Sequence, residues 1–93
     1  MKVYQISYDL RKRRSYDALY ELIRNYGSYC HALESSWVIA TQQSAVQVRD
    51  YLNQALDRDD SLLVTRLQGE AAWTGLEDEL SRWLKEQLNN CTV

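Results

Sequence analysis

Residues 29–41 read YCHALESSWVIAT. Two runs rich in apolar and aromatic residues, 29–34 and 36–41, meet at the short polar link Glu34-Ser35-Ser36. Runs of this length and composition read as strands, and a short polar link between them reads as a hairpin turn, although the Asn-Gly signature is absent. Reading outward from this hairpin shows what it joins. Upstream, Tyr16, Leu19, Tyr20, Ile23 and Tyr26 recur at helical spacing, with Ser15 as the expected N-cap and Gly27 as the closing glycine. Downstream, Ser44 and Gln47 fit a capping box. The helix that follows would bury Ala45, Val48, Tyr51, Leu52, Ala55 and Leu56.

Each helix has a further strand beyond it. Residues 2–9 alternate, with Tyr4, Ile6 and Tyr8 on one face and Val3, Gln5, Ser7 and Asp9 on the other. After the polar turn Arg58-Asp59-Asp60, residues 61–67 form a β-rich run. The order is therefore β-α-β-β-α-β, the split βαβ or ferredoxin-like arrangement of the α+β class. Two additions are expected. Gly69-Glu70-Ala71-Ala72-Trp73 reads as a short edge strand. Thr74 and Glu77 read as a capping box for a third helix reaching about residue 88, with Leu76, Leu80, Trp83, Leu84 and Leu88 on one stripe.

Ninety-three residues make one domain, 1–93, with a core at 1–75 followed by the C-terminal helix and tail. The chain is 45% hydrophobic and 26% charged, a globular balance that excludes a disordered chain. It has three Trp, seven Tyr and no Phe. Aromatics with a polar tip favour edges, clefts and interfaces, so a homodimer is expected. Net charge is −2 but uneven: residues 1–31 carry +3 and residues 32–93 carry −5. The total therefore does not imply a polyanion partner, while the N-terminal third keeps room for a basic patch. Cys30 and Cys91 lack metal-ligand spacing and make no disulfide framework, which points to the reducing cytosol. MKVYQISYDL lacks the apolar centre of a signal peptide, and no stretch approaches the ~20 apolar residues of a membrane span.

Asp9 is the residue with most chemical interest. A carboxylate at the end of the first strand can hold Mg²⁺ and leave water on the ion, and two copies could meet across a dimer axis. It can equally start a turn by bonding its own downstream backbone. Arg11-Lys12-Arg13-Arg14 suits phosphate contact, or is simply a solvated loop. His31 has no Ser–His–Asp or Cys–His arrangement around it. Trp37 and Trp73 are candidates for base stacking or for packing. Tyr8 either hydrogen-bonds near Asp9 or fills the core. The three glycines are scattered, so no phosphate-cradling loop is present.

Several short motifs stand in a familiar order: SYDL at 7–10, YxxLYExI at 16–23, LESSWVIAT at 33–41, SAxQxRDYL at 44–52 and LLVxxLxGEAAWTG at 62–75. In these the chain resembles the Cas-two superfamily of CRISPR adaptation proteins and VapD-type ribonuclease toxins. It is most similar to a small bacterial branch labelled SinR-like, although no helix-turn-helix is present. The resemblance covers about residues 1–76. It implies a ferredoxin-like homodimer often completed by an edge strand from the partner. It also implies a metal-dependent nuclease site on Asp9, with Tyr8 beside it. Arg11, Arg13, Arg14 and Arg24 match as basic residues in roughly the right segments, and Trp37 lies where that superfamily has a third-strand aromatic. The acidic second half and the GEAAW segment depart from a surface that grips duplex DNA.

Two readings follow. The first is a cytoplasmic, Mg²⁺-dependent endonuclease dimer acting on RNA or DNA, with catalytic Asp9 and Tyr8 and with nucleic acid bound by Arg11, Arg13, Arg14, Arg24 and Trp37. The second is a non-catalytic dimeric binding or regulatory module, an antitoxin, immunity or phage-related partner protein, offering edge strands and aromatic surfaces to another protein.

Overall fold

The computed structural model describes residues 1–11 and 16–90. Four strands are present: β1 (Lys2–Asp9), β2 (Tyr29–Leu33), β3 (Ser36–Thr41) and β4 (Ser61–Leu67). They form one antiparallel sheet in the order β2-β3-β1-β4. Helix α1 (Asp17–Arg24) connects β1 to β2, and α2 (Ala45–Leu52), extended by a 3₁₀ turn over Asn53–Ala55, connects β3 to β4. This is the ferredoxin-like order expected from the sequence. Helix α3 (Asp78–Asn90) is the addition.

The alternation of β1 separates two cores. Tyr4, Ile6 and Tyr8 pack with Trp37 and Ile39 of β3 against Leu19 and Ile23 of α1 and Val48 and Leu52 of α2. Val3, on the opposite face, packs with Cys30 and Val38 against Leu84 and Leu88 of α3. Helices thus lie on both sides of the sheet. That explains β3: all six residues from Ser36 to Thr41 are buried, so the run SWVIAT carries little of the apolar–polar alternation of a half-exposed strand.

The capping box of α2 forms. The Gln47 amide donates to Ser44 Oγ (3.2 Å), and the Ser44 amide donates to Gln47 Oε1 (2.8 Å). Such a cap contributes about 1 kcal/mol. Ser44→Ala is expected to lower unfolding stability by about that amount in a urea titration, leaving the denaturant slope unchanged.

Four features differ from expectation. Helix α1 begins at Asp17, with Tyr16 at the N-cap position and no side-chain cap bond there; Ser15, the expected cap, lies outside the described residues. Gly27 adopts its left-handed conformation (φ +80°) two residues beyond the C-cap Asn25. Residues 69–73 are not a strand, so β4 is the outer strand of the sheet among the described residues. This segment instead runs irregularly over the α3 side of the sheet. Trp73 joins the α3 core there, and its Nε1–H donates to Ser81 Oγ at 2.9 Å. Thr74 does not cap α3 either. Gly75 stands between it and Glu77 with φ +82°, a left-handed step that no helix start accommodates.

Among the described residues, no helix is long and apolar enough to cross a membrane.

Candidate functional site

Asp9 ends β1 directly opposite Ser61 of β4. Its side chain is 66% exposed, and the carboxylate faces Arg11 Nη2 at 3.6 Å. An exposed pair at that distance is weak and screened by salt. The exposure has a simple cause. Asp9 shares the sheet face of Val3, but at ~3.3 Å per residue it lies ~20 Å further along the strand. Helix α3 covers the Val3 end, where Leu84 and Leu88 sit.

The half of this face nearest Asp9 is only partly covered: Ser36 is buried, while the two ends of its row are exposed. One row crosses all four strands there: Leu33 opposite Ser36, Ser36 opposite Ser7, and Ser7 opposite Leu63. Ser7 Oγ and Ser36 Oγ lie 3.4 Å apart, and Gln5 Nε2 donates to Ser36 Oγ at 3.0 Å. The two leucines at the ends of the row are 57% and 63% exposed. An apolar pair flanking a satisfied polar centre is the composition of a surface that can be covered.

The neighbouring acid, Asp60, has a structural task. Its Oδ1 accepts from the Arg11 amide (3.0 Å) and its Oδ2 from the Asp57 amide (2.8 Å), closing the turn into β4. Among the described residues, no group of three or more His, Cys, Asp or Glu side chains converges on a metal position. Asp9 is the carboxylate here that is not engaged in closing that turn; its contact is the ion pair with Arg11.

Tyr8 does not stand beside Asp9. Successive strand residues point to opposite faces, and Tyr8 lies in the core under α1. Trp37 Nε1–H donates to its hydroxyl at 3.2 Å, and that hydroxyl lies 3.2 Å from both the Glu34 carbonyl oxygen and the Tyr20 hydroxyl. Burial, reinforced by the Tyr20 hydrogen bond, pushes the Tyr8 phenol far above its ordinary range. It is a neutral structural hub. Tyr8→Phe is expected to strand the Trp37 N–H without its acceptor and to cost about 1–3 kcal/mol. The sign of the pH dependence follows from the raised folded pKa. Above about pH 10 the unfolded chain releases this proton while the folded chain keeps it, so wild-type stability falls with rising pH. The variant should lose the Tyr8 share of that alkaline fall, as read from urea midpoints between pH 8 and 11.

Trp37 is 2% exposed, so its indole is not a free stacking surface. His31 lies flat on it (4.2 Å between ring centres, 11°), and Tyr20 and Tyr29 cover it further. Arg24 is exposed, with its guanidinium carbon 5.8 Å from the Tyr20 and Trp37 ring centres. Arg11 sits beside Asp9, while Arg13 and Arg14 lie outside the described residues. The sites named from sequence thus divide. Asp9 and Arg11 come together, Arg24 joins the aromatic cluster, and Tyr8 and Trp37 belong to the core. The exposed rings of this cluster are Tyr16, Tyr29 and His31; the sequence reading put Tyr16 on the buried stripe of α1 and weighed His31 alone, so it did not bring them together. Their signal was present as the i, i+4 spacing of Tyr16, Tyr20 and Arg24 and the i, i+2 spacing of Tyr29 and His31.

Two other features carry no reaction chemistry. Burial raises the Cys30 thiol to about 11, which keeps it protonated and inert. A cleft of about 320 Å³ between the 71–76 segment, α3 and the sheet is lined by groups such as Leu33, Leu67, Trp73 and Leu84, with Gln5 and Ser36 polar and no ionisable side chain. No family model matches this chain, and neither a curated protein nor a solved structure does.

Proposed function

We propose that the chain is a Cas-two-like homodimer that cleaves phosphodiester bonds of RNA or DNA with Mg²⁺. The observation that carries this reading is the placement of Asp9: an exposed carboxylate at the end of a central strand, on the partly covered half of the sheet face beside Leu33 and Leu63. Two copies meeting through this half-face would bring two Asp9 carboxylates to one seam. Mg²⁺ binds through one or two carboxylates and keeps several waters, so a pair of Asp9 side chains fits it and a single one is half a site. The ion, when bound, would polarise the scissile phosphate and lower the pKa of attacking water. In the chain itself, Asp9 would hold the ion and Arg11 would exchange its carboxylate contact for a substrate phosphate. The order of short motifs from SYDL to GEAAWTG supports the same reading.

The test is cleavage of RNA and DNA by the purified protein with Mg²⁺ and with chelator, for wild type and Asp9→Ala, with the oligomer followed by light scattering. Cleavage that survives either the chelator or the substitution would sink the Asp9 mechanism.

A second reading, a non-catalytic dimeric regulatory module, draws on β4. Its seven residues form an outer strand without proline, with Leu63 exposed, a template for pairing with a strand of another protein. An antitoxin, immunity or phage-related partner would occupy it. That reading expects no cleavage under any metal condition and a protein partner that co-purifies.

A further inference from the structure

Around buried Trp37 the rings are layered. Tyr16, Tyr20 and Arg24 share one face of α1 and its N-cap, being four residues apart. Tyr29 and His31 share one face of β2. Tyr16 stacks on Tyr20 (5.7 Å, 14°), and His31 stacks on Trp37 (4.2 Å, 11°). Tyr20 stands edge-on to His31 at 5.2 Å and joins the two stacks. Each outer ring therefore has one face on the cluster, and both remain exposed, Tyr16 at 42%. Tyr29 is 37% exposed beside them. His31 is also held at its edge, with Nε2 3.1 Å from the Glu34 carbonyl oxygen. The rings are thus fixed before any ligand arrives, which lowers the ordering cost of binding.

Charge selects the occupant. Tyr16, Tyr20, Arg24, Tyr29 and His31 all lie in the first 31 residues, the part of the chain with net charge +3, and only Ser15 separates Tyr16 from the basic run 11–14 in the sequence. Arg24 is the exposed cation of the cluster. Glu21 lies on the other flank of α1, beside Gln54 and Ala55. Flat exposed rings next to a guanidinium, within the basic third of an otherwise acidic chain, match a ligand that combines planar rings with negative charge.

We propose that Tyr16, Tyr29 and His31, with Arg24, form a stacking platform for the unpaired bases of single-stranded nucleic acid. This rests on the reading of the protein as one that acts on nucleic acid, and it narrows the substrate to a strand whose bases are free. In a duplex the base faces are already stacked on one another and offer no surface to a side-chain ring. Arg24 meets a backbone phosphate while bases lie on His31 and Tyr16.

The test is fluorescence anisotropy with a fluorescein-labelled twelve-nucleotide uridine strand and a duplex of equal length, in EDTA, so that neither metal nor cleavage takes part. The single strand is expected to bind at least about tenfold tighter than the duplex. Tyr16→Ala and His31→Ala should each weaken it about fivefold or more, the loss of one base stack. Tyr16→Phe, which keeps the ring, should bind like wild type. Arg24→Ala should lower the slope of affinity against salt by about one phosphate contact, whereas Arg49→Ala, an exposed cation on α2, should leave it unchanged. Circular dichroism verifies that each variant is folded. Wild-type affinity in both ring-deleted variants, preference for duplex, or no binding of the strand would overturn the proposal. The two readings also fail separately. Mg²⁺-dependent cleavage with ring variants that bind normally removes the platform alone. Ring-dependent binding without any cleavage removes the nuclease alone.

Discussion

Under the proposed nuclease reading, Asp9→Ala is expected to reduce Mg²⁺-dependent cleavage by at least about 100-fold while the protein elutes as the same dimer as wild type. The size of the effect comes from the ligand count. Changing groups that merely orient a metal ligand already costs ~10–100-fold in affinity or activity, and in the proposed dimer the ligand itself would be removed, in both copies at once. The persistence of the dimer comes from the position of the side chain. Asp9 is exposed at the strand end, and its ion pair with Arg11 at 3.6 Å contributes little to stability. Asp9→Asn should behave like the alanine variant, since it keeps the shape and loses the charge that holds the cation. Loss of the dimer together with activity would instead make Asp9 a structural residue of the seam. A second geometric check is available in any structure of the dimer. Mg²⁺–oxygen distances are about 2 Å, so Asp9 carboxylates more than about 10 Å apart cannot share one ion.

Trp37→Ala should cost about 3–5 kcal/mol of folding stability, visible as a large fall in the urea midpoint. A domain of this size has only about 5–15 kcal/mol in total, so the variant should be close to unfolding at 37 °C. The substitution removes the floor on which His31 lies and the N–H that the Tyr8 hydroxyl accepts. It also opens a hole between α1 and β3, where Tyr20 packs. Trp37→Phe keeps a ring at this position and should recover more than half of the loss. An exposed stacking tryptophan would behave differently, with changes within about 0.5 kcal/mol of wild type. A loss below 1 kcal/mol would therefore contradict the buried position. Taken with the platform variants, this experiment separates the residue that supports the rings from the residues that present them.

The sequence carried the fold where local and long-range signals agree. The alternation of residues 2–9, the hairpin at 34–35 and the Ser44–Gln47 cap each use side chains whose reason is local, and each appears in the structure. The pattern of β1 already implied that Tyr8 and Asp9 point apart. Reading them as a motif joined two residues that a strand's period of two keeps separate. The GEAAWTG stretch was less legible. Its small residues permit an extended chain, but Trp73 finds a hydrogen bond on α3, and Gly69 and Gly75 both take positive φ. The burial of Trp37 was illegible for a related reason. Its cover comes from two separate elements, with Tyr20 and Arg24 on α1 and Tyr29 and His31 on β2, so no single window contains it.

The sheet order also bears on how the chain is made. Of the four strands, β1 is the first to leave the ribosome, yet it ends as a central strand, paired with β3 through Lys2–Thr41 and with β4 through Asp9–Ser61. Until residue 67 has emerged, the strand that bears Asp9 is an unpaired sheet edge with apolar residues on both faces. At ~5–20 residues per second, that interval lasts several seconds. Slow decoding between the end of β3 and the end of β4 would prolong it, favouring nascent-chain aggregation and engagement by chaperones that bind extended segments.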